Sequence, residues 1–221
     1  MKLPKPTVSL AALVAANLVP LVGVLWFGWD ATMIVLLYWA ENIVIGAYNI
    51  LRMALVKVDH PAAHLGKLFV IPFFCIHFGG FCAVHGFFLL ALFGLGTEAE
   101  SLMSGGSWPG PLVFVQLLAA VIAQVWRNHP EGMGWLVACL AVSHGISFVQ
   151  NYLVRGERAA TSMGKEMGRP YKRIAILHIT IIAGAAPIMM LGSPVPLLCI
   201  LVLLKTYMDV RLHVKSHKAK T

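Results

Sequence analysis

Long apolar stretches, separated by short polar ones, make up almost the whole chain. Most of them are long enough for a helix to cross the hydrocarbon core of a bilayer, which takes about 20 residues. The pattern predicts helices over residues 8–28, 31–56, 68–95, 111–126, 134–154, 174–191 and 194–210. We therefore predict an all-α integral membrane helical bundle, with a single transmembrane domain over residues 1–221.

The placement of Lys and Arg bears on whether the short fourth stretch, 111–126, crosses the membrane. If all seven stretches cross, six basic residues fall on the side of the N-terminus and eleven on the other side. If the fourth stretch enters the membrane only halfway, the division becomes 16 to one, as the cytoplasmic preference of Lys and Arg requires. We predict six spanning helices plus one re-entrant or interfacial helix, with seven spans as the alternative.

Composition supports a membrane location. Hydrophobic residues make up 59% of the chain and charged residues 12%, with a mean hydropathy of +0.80, whereas a soluble domain carries about 25% charged residues. The net charge of +8 is interpreted as contact with membrane lipids and not with nucleic acid, since basic residues flank membrane spans. We expect the inner (cytoplasmic) membrane of a bacterium, both termini cytoplasmic and an unassigned oligomeric state.

Ionisable side chains occur inside the predicted spans, where they are costly and usually functional. Glu41, His77, His144 and His178 come from four different helices and are expected at similar depths. Convergence of that kind is typical of a metal site in a helical bundle. His85, roughly 12 Å further out than His77, is expected to be a fifth ligand or a proton relay. Imidazole and carboxylate ligands suit a transition metal ion, with Zn or Fe preferred.

Amide and hydroxyl side chains lie near these predicted ligands along the helices. They are expected to orient the ligands through hydrogen bonds. The residues are Asn42, Asn49, Asn151, Tyr38 and Ser143.

A set of short motifs extends over most of the chain. It comprises Tyr38-Trp39-x-Glu41-Asn42 with Asn49, His77-x-Gly79-Gly80-Phe81-x-x-x-His85-Gly86, Ser143-His144-Gly145 with Asn151, and Pro170-Tyr171-x-Arg173 with His178. With these motifs the chain resembles a bacterial multi-pass membrane protein family classed as a domain of unknown function. The resemblance covers about residues 38–213 and implies no reaction.

Three functions are compatible with this pattern. The first is an intramembrane metal-binding protein, with an enzyme acting on a lipid-soluble substrate as an extension whose catalytic residues are unassigned. The second is a transporter or channel for protons, metal ions or a small solute, because buried Glu, His and Asn also mark ion pathways. The third is a structural or interaction protein in which polar side chains hold the helices together.

Overall fold

The computed structural model describes residues 8–58, 61–95, 108–128 and 131–218, which are helical almost throughout and contain no β-strand. Eight α-helices lie within these ranges. They are α1 (Val8–Phe27), α2 (Ala31–Leu55), α3 (Pro61–Leu92), α4 (Val113–Asn128), α5 (Met133–Ser147), α6 (Met163–Gly168), α7 (Tyr171–Leu191) and α8 (Val195–Lys218). The all-α prediction is confirmed.

Five segments of the described residues are long and apolar enough to cross a membrane. They are Ala31–Leu55, His64–Leu92, Gly110–Asn128, Met133–Val154 and Met163–Leu191; Leu13–Phe27 is a shorter apolar helix. The predicted number of spans stays a prediction, because the fourth stretch, Gly110–Asn128, is by its length and composition also a candidate span.

Helix ends differ from the sequence pattern at two places. Helix α3 begins at Pro61 and not near residue 68, because proline suits the first turn of a helix and the polar residues that follow it remain helical. The basic region 155–173 contains a 3₁₀ turn, Glu157–Ala159, and the short helix α6, neither of which was predicted. A π-helical stretch, Phe148–Val154, extends α5.

The chain divides into two compact units, and the prediction of one transmembrane domain stays a prediction. The first unit comprises residues 1–35 and 179–221. In it, α1 packs on α8 through Asn17, whose Nδ2 donates to Asp209 Oδ2 at 3.0 Å. Lys205 donates to Asp209 Oδ2 at 3.0 Å and to Asn17 Oδ1. Asn17 of α1 thus joins the Lys205–Asp209 ion pair of α8.

The second unit, residues 36–178, contains the predicted metal and hydrogen-bonding residues, and its helix directions follow from a few contacts. Helices α2 and α5 run the same way, because Tyr152 Oη donates to the carbonyl of Arg52 at 2.5 Å and Lys57 N–H donates to the carbonyl of Arg158 at 3.2 Å. Helix α3 starts where α2 ends, since Lys67 Nζ donates to the carbonyls of Ala54 and Val56. Helix α3 therefore runs opposite to α2 and α5.

Helix α4 runs parallel to α3, which is unusual for sequence neighbours. Gly80 lies against Phe114, and Gly86 against Val121. Gln124 Nε2 then donates to the carbonyl of Leu95 at 3.1 Å. Along these three contacts the residue numbers of α3 and of α4 increase in the same direction. Helix α4 therefore begins level with the middle of α3 and ends where α3 ends. The chain thus leaves α3 and enters α5 at the same end of the second unit.

These directions collect nearly all the basic residues of the second unit at one end, called the basic end. Here α2 and α5 end, and α3 and α7 begin. Its residues are Arg52, Lys57, Lys67, Arg155, Arg158, Lys165, Arg169, Lys172 and Arg173, whereas Arg127 lies in the last turn of α4, at the other end. This asymmetry is the one expected when the basic end faces the cytoplasm.

The direction of α4 predicts which positions share a side of the membrane. In a cysteine-free background, Leu95→Cys and Glu131→Cys should react with a membrane-impermeant maleimide from the same side. Ala159→Cys, at the basic end, should react only from the opposite side. Labelling of Leu95→Cys and Glu131→Cys from opposite sides of oriented vesicles would instead establish α4 as a full span.

Candidate functional site

Glu41, in α2, has two partners in the second unit. Its Oε2 accepts a short hydrogen bond from Arg173 Nη2 in α7, and its Oε1 lies 3.3 Å from His144 Nε2 in α5. The Glu41 side chain is only 16% exposed. The guanidinium of Arg173 offsets the cost of burying the charge of Glu41.

His85 of α3 and His178 of α7 form a direct imidazole pair. His85 Nε2 lies 2.8 Å from His178 Nδ1, so one ring donates its N–H to the lone pair of the other. His85 is 1% exposed, whereas His178 is exposed. The second ring nitrogen of His85, Nδ1, faces the carbonyl of Phe81 outside hydrogen-bond geometry.

His77 has a third, separate partner. Its Nδ1 lies 2.8 Å from the hydroxyl of Tyr171, the first residue of α7. The imidazole is exposed and lies between two aromatic rings, stacked on Phe73 at 5.2 Å and edge-on to Phe81 at 5.1 Å between centroids. The contact therefore joins α3 to α7 about two turns from the His85–His178 pair.

The five predicted metal ligands are thus found in three places. Glu41 and His144 are together, His85 and His178 are together, and His77 is with a tyrosine. Across the ranges 8–58, 61–95, 108–128 and 131–218, no group of three or more His, Cys, Asp or Glu is placed to hold one metal ion. Metal binding stays a prediction of the sequence.

Depth counting placed His178 level with His77, but the structure places it against His85. The sequence pattern predicts that this helix begins at residue 174, whereas α7 begins at Tyr171, so His178 lies deeper in its helix than predicted. Helices α3 and α7 run in the same direction. Tyr171 therefore contacts His77, and His178 contacts His85 about two turns further along both helices.

The residues expected to orient the ligands have varied contacts. Asn42 is buried and donates to the carbonyl of Tyr38 at 2.7 Å, while its Oδ1 has no partner among the described residues. Asn49 is buried and donates to the carbonyl of Glu166 at 2.9 Å. Asn151 and Ser143 lie away from these groups: Asn151 donates to Ser147 Oγ at 3.1 Å, and Ser143 is exposed in an apolar groove along α5.

A compact ionic cluster at the basic end was not predicted. Arg52 Nε lies 2.6 Å from Glu166 Oε2, and its Nη2 lies 3.0 Å from Glu157 Oε2. The guanidinium carbon lies 4.0 Å from the centre of the Tyr152 ring. Thr161 Oγ1 donates to Glu166 Oε1 at 2.7 Å. Glu166 is only 2% exposed, so this cluster fixes α6 against the end of α2.

Sequence reasoning missed Arg173 and Tyr171 as contacts of the predicted ligands. Both were assigned to the end of a basic loop, although they open α7 and lie one helical turn from its apolar residues. Their signal was present in the motif Pro170-Tyr171-x-Arg173. Glu166 had a weaker signal: with Glu157, it is one of two acids in a strongly basic region.

The helices and their polar contacts together define a polytopic α-helical protein with ionisable pairs inside helices that are long enough to cross a membrane. The chain belongs to a family of unknown function, DUF6498, whose model matches residues 1–221. This confirms the resemblance to a family of unknown function. No curated protein matches the chain significantly, and no solved structure does either.

The Arg52 cluster predicts a difference between two acids that share one arginine. Glu166→Gln should lower the free energy of unfolding by about 3 kcal/mol, because it leaves a buried guanidinium without its closest partner. Glu157→Gln removes the partner that is 45% exposed and should cost less than about 1 kcal/mol. Denaturant unfolding in mild detergent measures both. Equal losses would mean that burial does not distinguish the two pairs.

Proposed function

We propose that this protein is a transporter or channel that moves protons across the membrane. The proposal is supported above all by the His85–His178 pair, in which two imidazoles touch at 2.8 Å inside helices able to span a bilayer. Chains of buried Glu and His mark proton relays in membrane proteins. Imidazole suits the task because one ring nitrogen can accept a proton while the other releases one.

The pair can pass a proton between an exposed and a buried position. A proton taken up by the exposed His178 moves to His85 along their shared hydrogen bond, while each ring keeps a second nitrogen to receive or release it. Nδ1 of His85 has no hydrogen-bond partner among the described residues that meets full geometry, and the carbonyl of Phe81 lies beside it. The pair therefore has the groups that one relay step requires.

Helix α7 brings three polar contacts together at successive levels. Tyr171, Arg173 and His178 lie within seven residues, roughly 10 Å along the axis. Their partners are His77, Glu41 and His85. Glu41 also contacts His144, so this one carboxylate joins Arg173 of α7 to α5. The polar contacts thus continue from the histidine pair toward the basic end.

Orientation follows from the basic end. Lys and Arg prefer the cytoplasmic side of a bilayer, so we place the basic end in the cytoplasm and the far end, with Arg127, outside. The basic N-terminal residues Lys2 and Lys5 and the basic tail are assigned to the same side as the basic end. This orientation corresponds to an inner-membrane protein with both termini cytoplasmic.

A second candidate function is binding of a transition metal ion, Zn or Fe. It is favoured by the same two histidines, because neighbouring nitrogens on a tetrahedral Zn lie roughly 3.3 Å apart and those of His85 and His178 are already 2.8 Å apart. Glu41 would join them only after leaving Arg173. An enzyme built on such a centre would act on a lipid-soluble substrate.

Proton flux tests the first proposal. Purified protein in liposomes, driven by a potassium diffusion potential and followed with an internal pH dye, should acidify the lumen faster than protein-free liposomes. His85→Gln and His178→Gln should each lower the rate about tenfold or more, because glutamine cannot carry the proton. The matched control is His64→Gln, at an exposed position near the start of α3. Wild-type flux equal to that of empty vesicles would reject proton transport.

Elemental analysis tests the second. Protein purified without chelators should carry about one equivalent of Zn or Fe per chain, and the double variant His85→Gln, His178→Gln should lose it while His64→Gln retains it. A content below about one tenth of an equivalent, with no stabilisation by added metal, would rule out a resident metal. The two proposals are thus separated by different measurements on the same variants.

A further inference from the structure

In the region 155–170 at the basic end, the acidic and the basic side chains have different contacts. Its two acids both pair with Arg52, the buried Glu166 at 2.6 Å and the exposed Glu157 at 3.0 Å. Met163 and Met167 of α6 pack against a buried cluster that includes Met53 and Phe74. The acidic and apolar groups of the region are therefore used to fasten it to the helices beneath.

The outer face of α6 and the start of α7 carries only positive charge. Lys165, Arg169 and Lys172 are all exposed, and they follow one another on α6, on the turn after it and in the first turn of α7. Arg169 is 57% exposed. Its Nη1 lies 3.9 Å from Glu166 Oε2, which is close enough for an ion pair but too far for a hydrogen bond. In the described part of the chain, neither Lys165 nor Lys172 forms an ion pair.

With the basic end at the cytoplasmic surface of the membrane, as proposed above, this face is expected at the level of the lipid headgroups. It lies at the end of the second unit where α2 and α5 stop and where α3 and α7 begin, and α7 is part of a segment long enough to span a bilayer. A helix lying at that level faces the phosphates of the adjacent leaflet. Lysine and arginine stems are long enough to reach them, and guanidinium binds phosphate through two hydrogen bonds.

We propose that Lys165, Arg169 and Lys172 form a binding site for the headgroup of an anionic phospholipid. Arg52 and Arg169 together balance the charges of Glu166 and Glu157, so Lys165 and Lys172 keep an uncompensated positive charge at this face. The Arg52–Glu166 contact holds α6 in place, which spares the lipid the entropic cost of ordering the three cations. The site is independent of proton or metal binding by the histidines.

Titration of short-chain phosphatidylglycerol into detergent-solubilised protein tests this site, with the melting temperature as readout. The lipid should raise the melting temperature, and short-chain phosphatidylcholine should not. In the triple variant K165Q/R169Q/K172Q, the apparent affinity should fall on the order of 100-fold, since each basic residue near a membrane surface contributes about fivefold. The charge-conserving variant K165R/K172R should retain it.

A control with the same change in net charge is available in the C-terminal tail. K215Q/K218Q/K220Q should leave the affinity within about twofold of wild type, because none of the three belongs to the proposed set of Lys165, Arg169 and Lys172. Equal losses in the two triple variants, or no loss in either, would overturn the site on α6. Stabilisation by inorganic phosphate at the same concentration would also overturn it, in favour of a soluble anion. If the α6 triple variant does not fold, Lys172→Gln alone should still show the fivefold loss.

Discussion

Hydrocarbon offers no hydrogen-bond partners, and this constraint governs how polar side chains are arranged in helices that cross a membrane. Glu41 is met by Arg173 and His144, His85 by His178, and Asn49 by the carbonyl of Glu166. Each contact joins different helical segments of the second unit. Each of these polar groups, if unpaired, would oppose insertion of its helix into the membrane. Paired with one another, they hold the helices together.

Helix α7 has a central place in this arrangement. It supplies Tyr171, Arg173 and His178, and through them contacts α3 twice and α2 once. Helix α6, directly before it, is fastened to α2 by the buried Glu166. The residues at the end of a basic region are therefore as important to the candidate site as the histidines and the glutamate in the apolar stretches.

Much of the fold was readable from the sequence, because apolar length predicts helices and their rough limits. Glu41 and Asn49 are eight residues apart, a spacing that puts them on one face of α2, and both side chains are largely or fully buried. Which groups meet was not readable in the same way. The partner of His178 depends on the residue at which α7 begins and on the relative direction of two helices far apart in sequence, and neither is encoded in the local pattern. Arg173 was missed because its long side chain reaches away from the position of its own backbone.

The π-helical stretch Phe148–Val154 carries one residue more than an α-helix of the same height would need. Such an insertion rotates the side chains that follow it relative to those before. His144, upstream, faces Glu41, and Tyr152, within the stretch, reaches the carbonyl of Arg52. A related protein that is one residue shorter here would keep the hydrophobic pattern of the span. Its residues at the positions of His144 and Tyr152 would, however, be rotated relative to each other about the helix axis, so that both contacts could not form. The length of this segment is therefore as much a part of the protein's specification as the identity of its residues.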